Sequence, residues 1–184
     1  FPDAEAFELN LSCPHAEGYG PSIGVYPRVV QECTEIVKAY GKPVWVKLTP
    51  NVTDIKVIGR AAEEGGADAI VAINTVKAMR ISTELRRPML GNKFGGLSGK
   101  AVFPIAVRTV YDLYEAVDIP IILYNIPGRT GCNILPATAA TMIKEYDNIV
   151  GMKDATGNFP QTLETLEACQ GDIDIYSGED GLIT

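Results

Sequence analysis

Two kinds of segment alternate along the chain. The first kind is short, apolar and rich in β-branched residues: residues 7–11, 44–48, 69–73, 119–123, 149–152 and, more weakly, 173–176. These are near-continuous apolar runs, the pattern of strands buried on both faces of a parallel sheet. The second kind repeats its apolar residues at helical spacing, over 27–40, 54–65, 101–116, 136–146 and 161–169. In the first of these, Val30, Cys33, Ile36 and Val37 share one stripe, and Gly41 supplies a stop signal. Thr53 and Asp54 predict a cap for the second, and Pro136 stands at the first helical position of the fourth.

Strands alternating with helices imply a parallel α/β architecture, either a (β/α)8 barrel or a doubly wound open sheet. No G-x-G-x-x-G follows the first strand, which weakens a dinucleotide-binding reading. Polar residues cluster instead at the C-terminal ends of several strands: Asn10, Lys47, Asn74, Tyr124 and Lys153. A (β/α)8 barrel carries its chemistry at that end. The expectation is therefore TIM-barrel-type units, about six of them, in a single partial barrel domain over 1–184. A full barrel takes eight units and typically ~250 residues, so these 184 residues read as a piece of something longer.

Composition narrows the function classes. Hydrophobic residues make up 46% and charged residues 21%, which fits a globular core and excludes a disordered chain. The net charge of −7 argues against nucleic acid or an anionic membrane as partner. No apolar run approaches a membrane span, and the first residues show no secretory signal. The 4 cysteines form no C-x-x-C pair, so neither a zinc site nor a disulfide framework is expected, and a cytoplasmic location is. The single histidine, His15, argues against a His-based triad or metal cluster.

Two lysines end apolar strand runs: Lys47 after Val44, Trp45 and Val46, and Lys153 after Met152. A lysine at the mouth of a low-dielectric cavity has its ammonium form disfavoured and can serve as an amine nucleophile. It can equally stay charged and hold an anion, or snorkel to solvent. Cys13 follows the first strand on a loop stiffened by Pro14; it is a proton acceptor if its thiolate is favoured, or else a structural thiol. Asn74 and Thr75 open an insertion of about 26 residues that ends in Gly95, Gly96, Leu97, Ser98 and Gly99, either an anion cradle or a flexible turn. Tyr124 and Arg129 follow the fourth run, where a phenol can relay a proton and a guanidinium can clamp a carboxylate.

These residues carry two resemblances. Residues 1 to about 118 resemble class 1 dihydroorotate dehydrogenases, closest to the flavin subunit of the NAD-linked type, through FELNLSCPHAEGYG, PVWVKLTPNVTDI, GGADAIVAINT and ELRRPMLGNKFGGLSGKAVFPIA. The resemblance implies oxidation of dihydroorotate to orotate by hydride transfer to FMN, with an electron-transfer partner subunit. It implies Cys13 as the base that removes a substrate proton. Asn10, Asn74 and Thr75 would bind the pyrimidine, and Asn10, Lys47, Ile73 and Gly99 would lie against the flavin. Residues from about 119 to 184 resemble dihydrodipicolinate synthase and its class I Schiff-base lyase relatives, through IILYNIPGRTGCNI, NIVGMKDATGN and IYSGEDGL. There the implied roles are a pyruvate Schiff base for Lys153, proton relay for Tyr124 and carboxylate recognition for Arg129, with no cofactor required. The switch falls at residues 118–122, inside a segment that precedes a barrel strand in both families. The chain is expected to be a chimera in which both inherited activities are weak or lost, because walls of both sites are missing. Unpaired sheet edges predict self-association.

Overall fold

The structure, a computed structural model, describes residues 3–12 and 23–178. In chain order the elements are strand β1 (Phe7–Asn10), helix α1 (Pro27–Lys38), β2 (Val44–Lys47), α2 (Ile55–Glu64) and β3 (Ala69–Ala72). Four short strands follow, β4 (Val76–Ala78), β5 (Ile81–Ser82), β6 (Arg87–Pro88) and β7 (Gly95–Leu97). The remainder is α3 (Phe103–Tyr114), β8 (Ile121–Asn125), α4 (Pro127–Thr130), α5 (Pro136–Glu145), β9 (Ile149–Asp154), α6 (Phe159–Ala168) and β10 (Asp174–Ser177).

One six-stranded sheet, all parallel, runs β1-β2-β3-β8-β9-β10. Its spatial order follows chain order without a reversal, so the doubly wound alternative falls: an open sheet of that kind changes direction at a switch point. The sheet curls into a half-barrel. Trp45 of β2 and Tyr176 of β10 meet across the concave side, with ring centroids 4.4 Å apart.

The two faces of the sheet bury different things. On the convex side Val44, Val46, Leu48, Ile70, Ile121, Leu123 and Met152 pack with Val30, Ile58 and Leu113 from the helical layer. On the concave side a smaller set, Ala69, Val71 and Ile122, packs with Trp45, Tyr124, Val150 and Tyr176. Burial on both faces explains why the strands read as continuous apolar runs. The Asp54 cap forms, its carboxylate accepting from the Lys56 amide at 2.9 Å. Asp68 ties α1 to the sheet by accepting from Lys38 Nζ and from the Val44 amide at 2.7 Å.

The sequence reading differs from the structure in three places. The strand expected over 119–123 is displaced to Ile121–Asn125, and the one expected over 149–152 runs to Asp154. Tyr124 and Lys153 therefore lie inside strands and are paired with each other in register. The insertion after Thr75 is not a plain loop: β4 pairs with β7 and β5 with β6, both antiparallel. Gly96 belongs to that pairing because a side chain there would overlap Thr75 Oγ1. Residues 127–130 form the short helix α4.

Candidate active site on the concave face and its rim

Strand alternation sends Glu8 of β1, Lys47 of β2, Tyr124 of β8 and Lys153 of β9 into the hollow of the half-barrel. Lys153 Nζ donates to Glu8 Oε2 at 2.9 Å, and both side chains are less than a quarter exposed. Both lysine ammoniums lie against one aromatic ring: Lys47 Nζ is 4.2 Å and Lys153 Nζ 4.9 Å from the Tyr124 ring centroid. Burial pushes the Lys47 amine below the ordinary lysine value; Glu8 opposes this, and the charges of Lys153 and Arg129 push it further down.

Above this group a chain of amides closes the rim. Ser12 Oγ donates to Asn10 Oδ1 at 2.7 Å, and Asn74 Nδ2 donates to Ser12 Oγ at 2.7 Å and to the Ser12 carbonyl at 3.0 Å. The Thr75 amide donates to Asn74 Oδ1 at 2.8 Å, and Asn51 Nδ2 reaches the Thr75 carbonyl at 3.0 Å. Asn10 and Asn74, on strand ends far apart in sequence, thus meet on Ser12. Cys13, the next residue, lies outside the described residues, as does His15.

A cavity of about 150 Å³ lies beside the rim, between the ends of β3 and β8 and helices α3 and α5. Ile73, Asn74, Thr75, Gly99, Tyr124 and Thr130 all line it. Gly99 has φ +99°, and a Cβ on it would stand 2.6 Å from the Thr130 carbonyl oxygen. Ser98 Oγ donates to the Arg129 carbonyl at 2.5 Å. The glycine segment of the first half is thereby seated against the α4 turn of the second. Arg129 itself is exposed on α4, close enough for its charge to act on Lys47.

The structure thus brings Lys47, Tyr124 and Lys153 together, joins Asn10, Asn74 and Thr75 at the rim, and places Ile73 and Gly99 on the adjoining cavity. Sequence reasoning missed Glu8, the anion of the concave face. A lone carboxylate between Phe7 and Leu9 in an apolar strand run was the available signal, since a buried charge without a partner is rare. It also missed Asn125, which is 1% exposed and bonds Asn133 and the Ile134 amide at 2.9 and 3.0 Å. Among the described residues no group of three or more His, Cys, Asp or Glu is placed to hold a metal ion, and no helix is long and apolar enough to cross a membrane.

The family model for dihydroorotate dehydrogenase matches residues 2–124 of the 184. The chain belongs to the dihydroorotate dehydrogenase family. A second model, the dihydrodipicolinate synthetase family, matches residues 107–184, so the chain is a chimera whose two matches overlap across α3 and β8. The catalytic subunit of dihydroorotate dehydrogenase B (NAD(+)) from Methanocella arvoryzae is 63% identical over 122 residues, covering 66% of this chain and 40% of that protein. The corresponding subunit from Methanosarcina mazei is 64% identical over 119 residues, covering 64% of this chain and 38% of that protein. The chain therefore spans about two-fifths of the length of these relatives.

Solved dihydrodipicolinate synthases are among the structures it resembles. A chloride-inhibited dihydrodipicolinate synthase from Acinetobacter baumannii, complexed with pyruvate, superposes with a TM-score of 0.61 at 25% identity, over 95% of this chain and 52% of that one. The Aquifex aeolicus dihydrodipicolinate synthase gives 0.59 at 23% identity, over 85% of this chain and 48% of that one, which speaks for the shared fold.

Proposed function

We propose that this chain carries the substrate-facing part of a dihydroorotate-oxidising flavoenzyme of the NAD-linked type, in one partial barrel domain joined near residue 118 to a lyase-type segment, 119–184. The observation that supports it best is the meeting of Asn10 and Asn74 on Ser12, immediately before Cys13. Paired amides offer both donors and acceptors, which suits the alternating N–H and C=O edge of a pyrimidine. Cys13, at the end of that loop, is the residue to remove the substrate proton. FMN, when bound, supplies the hydride acceptor. Lys47 would stand against it as a cation, with Asn10, Ile73 and Gly99 as the remaining contacts. These residues fit one edge of a flavin without enclosing it: the cavity of about 150 Å³ is below the ~300–1,000 Å³ of most cofactor sites. Turnover in this chain is accordingly weak.

Anaerobic mixing with FMN and dihydroorotate tests the reading. Flavin absorption at the protein is expected to bleach slowly, and Asn74→Ala to reduce the rate about ten-fold, the equivalent of ~1.4 kcal/mol. A protein that neither takes up FMN nor bleaches it overturns the reading.

A second reading has its own support. Tyr124 and Lys153 are register partners on β8 and β9, within the segment matched to the dihydrodipicolinate synthetase family. A Schiff-base lyase acting on pyruvate would use Lys153 as the amine, Tyr124 as the proton relay and Arg129 for the carboxylate, and needs no cofactor.

The subunit name of the relatives supports an electron-transfer partner, and the free Cys33, Cys132 and Cys169 support a cytoplasmic location. Strands β1 and β10 end the sheet, each with one unpaired edge among the described residues. Such edges template further pairing. Gel filtration across a concentration series is expected to show dimers or larger species; a monomer at every concentration contradicts this.

A further inference from the structure

We infer that the cavity between α3 and α5 is a binding site for a small neutral phenol, one aromatic ring with one hydroxyl. The site exists because the helical layer does not close there. α1 packs along α2, α2 along α3, and α5 along α6. α3 and α5 follow the neighbouring strands β3 and β8, but a hollow of about 460 Å³ parts them. Phe103, Val107 and Val110 of α3 and Met142 of α5 line both that hollow and the cavity of about 150 Å³ beside the rim, so the two adjoin.

Size and lining define the occupant. An apolar cavity of ~150 Å³ inside a protein admits one benzene-sized ring. No charged side chain lines this one, so an ion would leave water without a group to balance its charge. Phe103 and Tyr124 offer aromatic rings and Met142 a polarisable sulfur, which favour an aromatic over an aliphatic guest. The wall also carries spare hydroxyls. Helical threonines elsewhere bond back one turn: Thr34 to the Val30 carbonyl at 2.7 Å, Thr109 to that of Ile105 at 2.8 Å and Thr165 to that of Gln161 at 2.8 Å. Thr138 of α5 does not. The carbonyl one turn before it, on Ile134, already accepts from Asn125 Nδ2 at 3.4 Å and from Gln161 Nε2 at 3.3 Å. Among the described residues the hydroxyls of Thr75, Tyr124 and Thr138 have no hydrogen-bond partner, and none of the three is sealed from solvent. A phenolic hydroxyl beside them can donate to one and accept from another. Benzene leaves all three unmet, and a carboxylate brings a charge that nothing opposes. The site needs no flavin and no lysine, so it stands or falls separately from dihydroorotate oxidation and from the Schiff-base reading.

Cys132, a free and half-buried thiol, also lines the cavity and reports its occupancy. Alkylation of the unaltered, flavin-free protein by iodoacetamide at neutral pH, followed by peptide mass mapping, tests the site with phenol itself as the probe. Saturating phenol is expected to slow alkylation of Cys132 several-fold and to leave Cys33, on α1, unchanged. Benzoate at the same concentration is expected to protect neither. In Ala106→Leu the longer side chain takes up space in the cavity wall, and phenol should no longer protect Cys132. Thr138→Val keeps the shape and removes one hydroxyl, and should need several-fold more phenol for the same protection. Cys132 alkylated equally fast with and without phenol overturns the assignment. So does benzoate protecting as well as phenol, or Cys33 slowed as much as Cys132. These outcomes are read on the unaltered protein and depend on no variant folding. Phenol that still protects Cys132 in Ala106→Leu overturns it as well.

Discussion

Leu113→Ala is expected to destabilise the fold by about 3 kcal/mol, within the range for removing a buried leucine. For a chain of this size that lowers the melting temperature by ~6–12 °C. Leu113 is fully buried in α3, the helix that both family models share. Its side chain lies over Gly59 of α2: a Cβ on that glycine would stand 2.7 Å from Leu113 Cδ2 and 3.3 Å from Val117 Cγ1. The absence of a side chain at position 59 is what lets α3 come down on α2, and Leu113 fills the space. Truncating it leaves a void between α3 and α2. Val107→Ala supplies the contrast on the same helix. Val107 is 46% exposed, so its loss is expected to stay within about 0.5 kcal/mol. Thermal unfolding of both variants decides; equal small effects would mean that α3 is not packed as described.

Glu8→Gln is the second large effect, expected at about 2 kcal/mol near neutral pH. The amide keeps the shape and removes the anion, leaving Lys153 and Lys47 as two partly buried cations facing each other. The pH dependence follows from Lys47, whose folded pKa lies below its ordinary value. Between those two values the unfolded chain binds more protons than the folded one, so stability rises with pH across that window. The penalty is fully present below the folded pKa and recedes as pH climbs towards the ordinary lysine value. Removing Glu8 deletes the anion that raises Lys47, which widens the window downward. The cost of Glu8→Gln should therefore be largest at neutral pH and shrink on the alkaline side. Denaturant unfolding at a series of pH values measures it, and a cost that grows with pH would contradict the arrangement.

The sheet was legible because both its faces are buried. Val44, Val46 and Leu48 face the helices while Trp45 faces the hollow, so the strand shows as one apolar run. The ends of β8 and β9 were not legible for the reason that makes them interesting. Tyr124, Asn125, Lys153 and Asp154 look like loop residues by polarity, yet they extend the ladder because inward partners and buried amides satisfy them. The insertion after Thr75 hid its small strands, because Gly95 and Gly96 signal a turn unless the close approach of Thr75 is known. The candidate site was half legible. Motifs marked the lysines, the asparagines and Tyr124 one by one, but only the fold sets Lys153 of one parent on Glu8 of the other.

That contact also gives the most direct test of the central claim, that two barrel segments of different ancestry share one concave face. A double-mutant cycle on Glu8→Gln and Lys153→Met, followed by unfolding free energy at neutral pH, isolates the pair. A coupling of about 1–2 kcal/mol in favour of the pair is expected for two partly buried charges at 2.9 Å. A coupling indistinguishable from zero would mean that the two segments do not meet across the hollow.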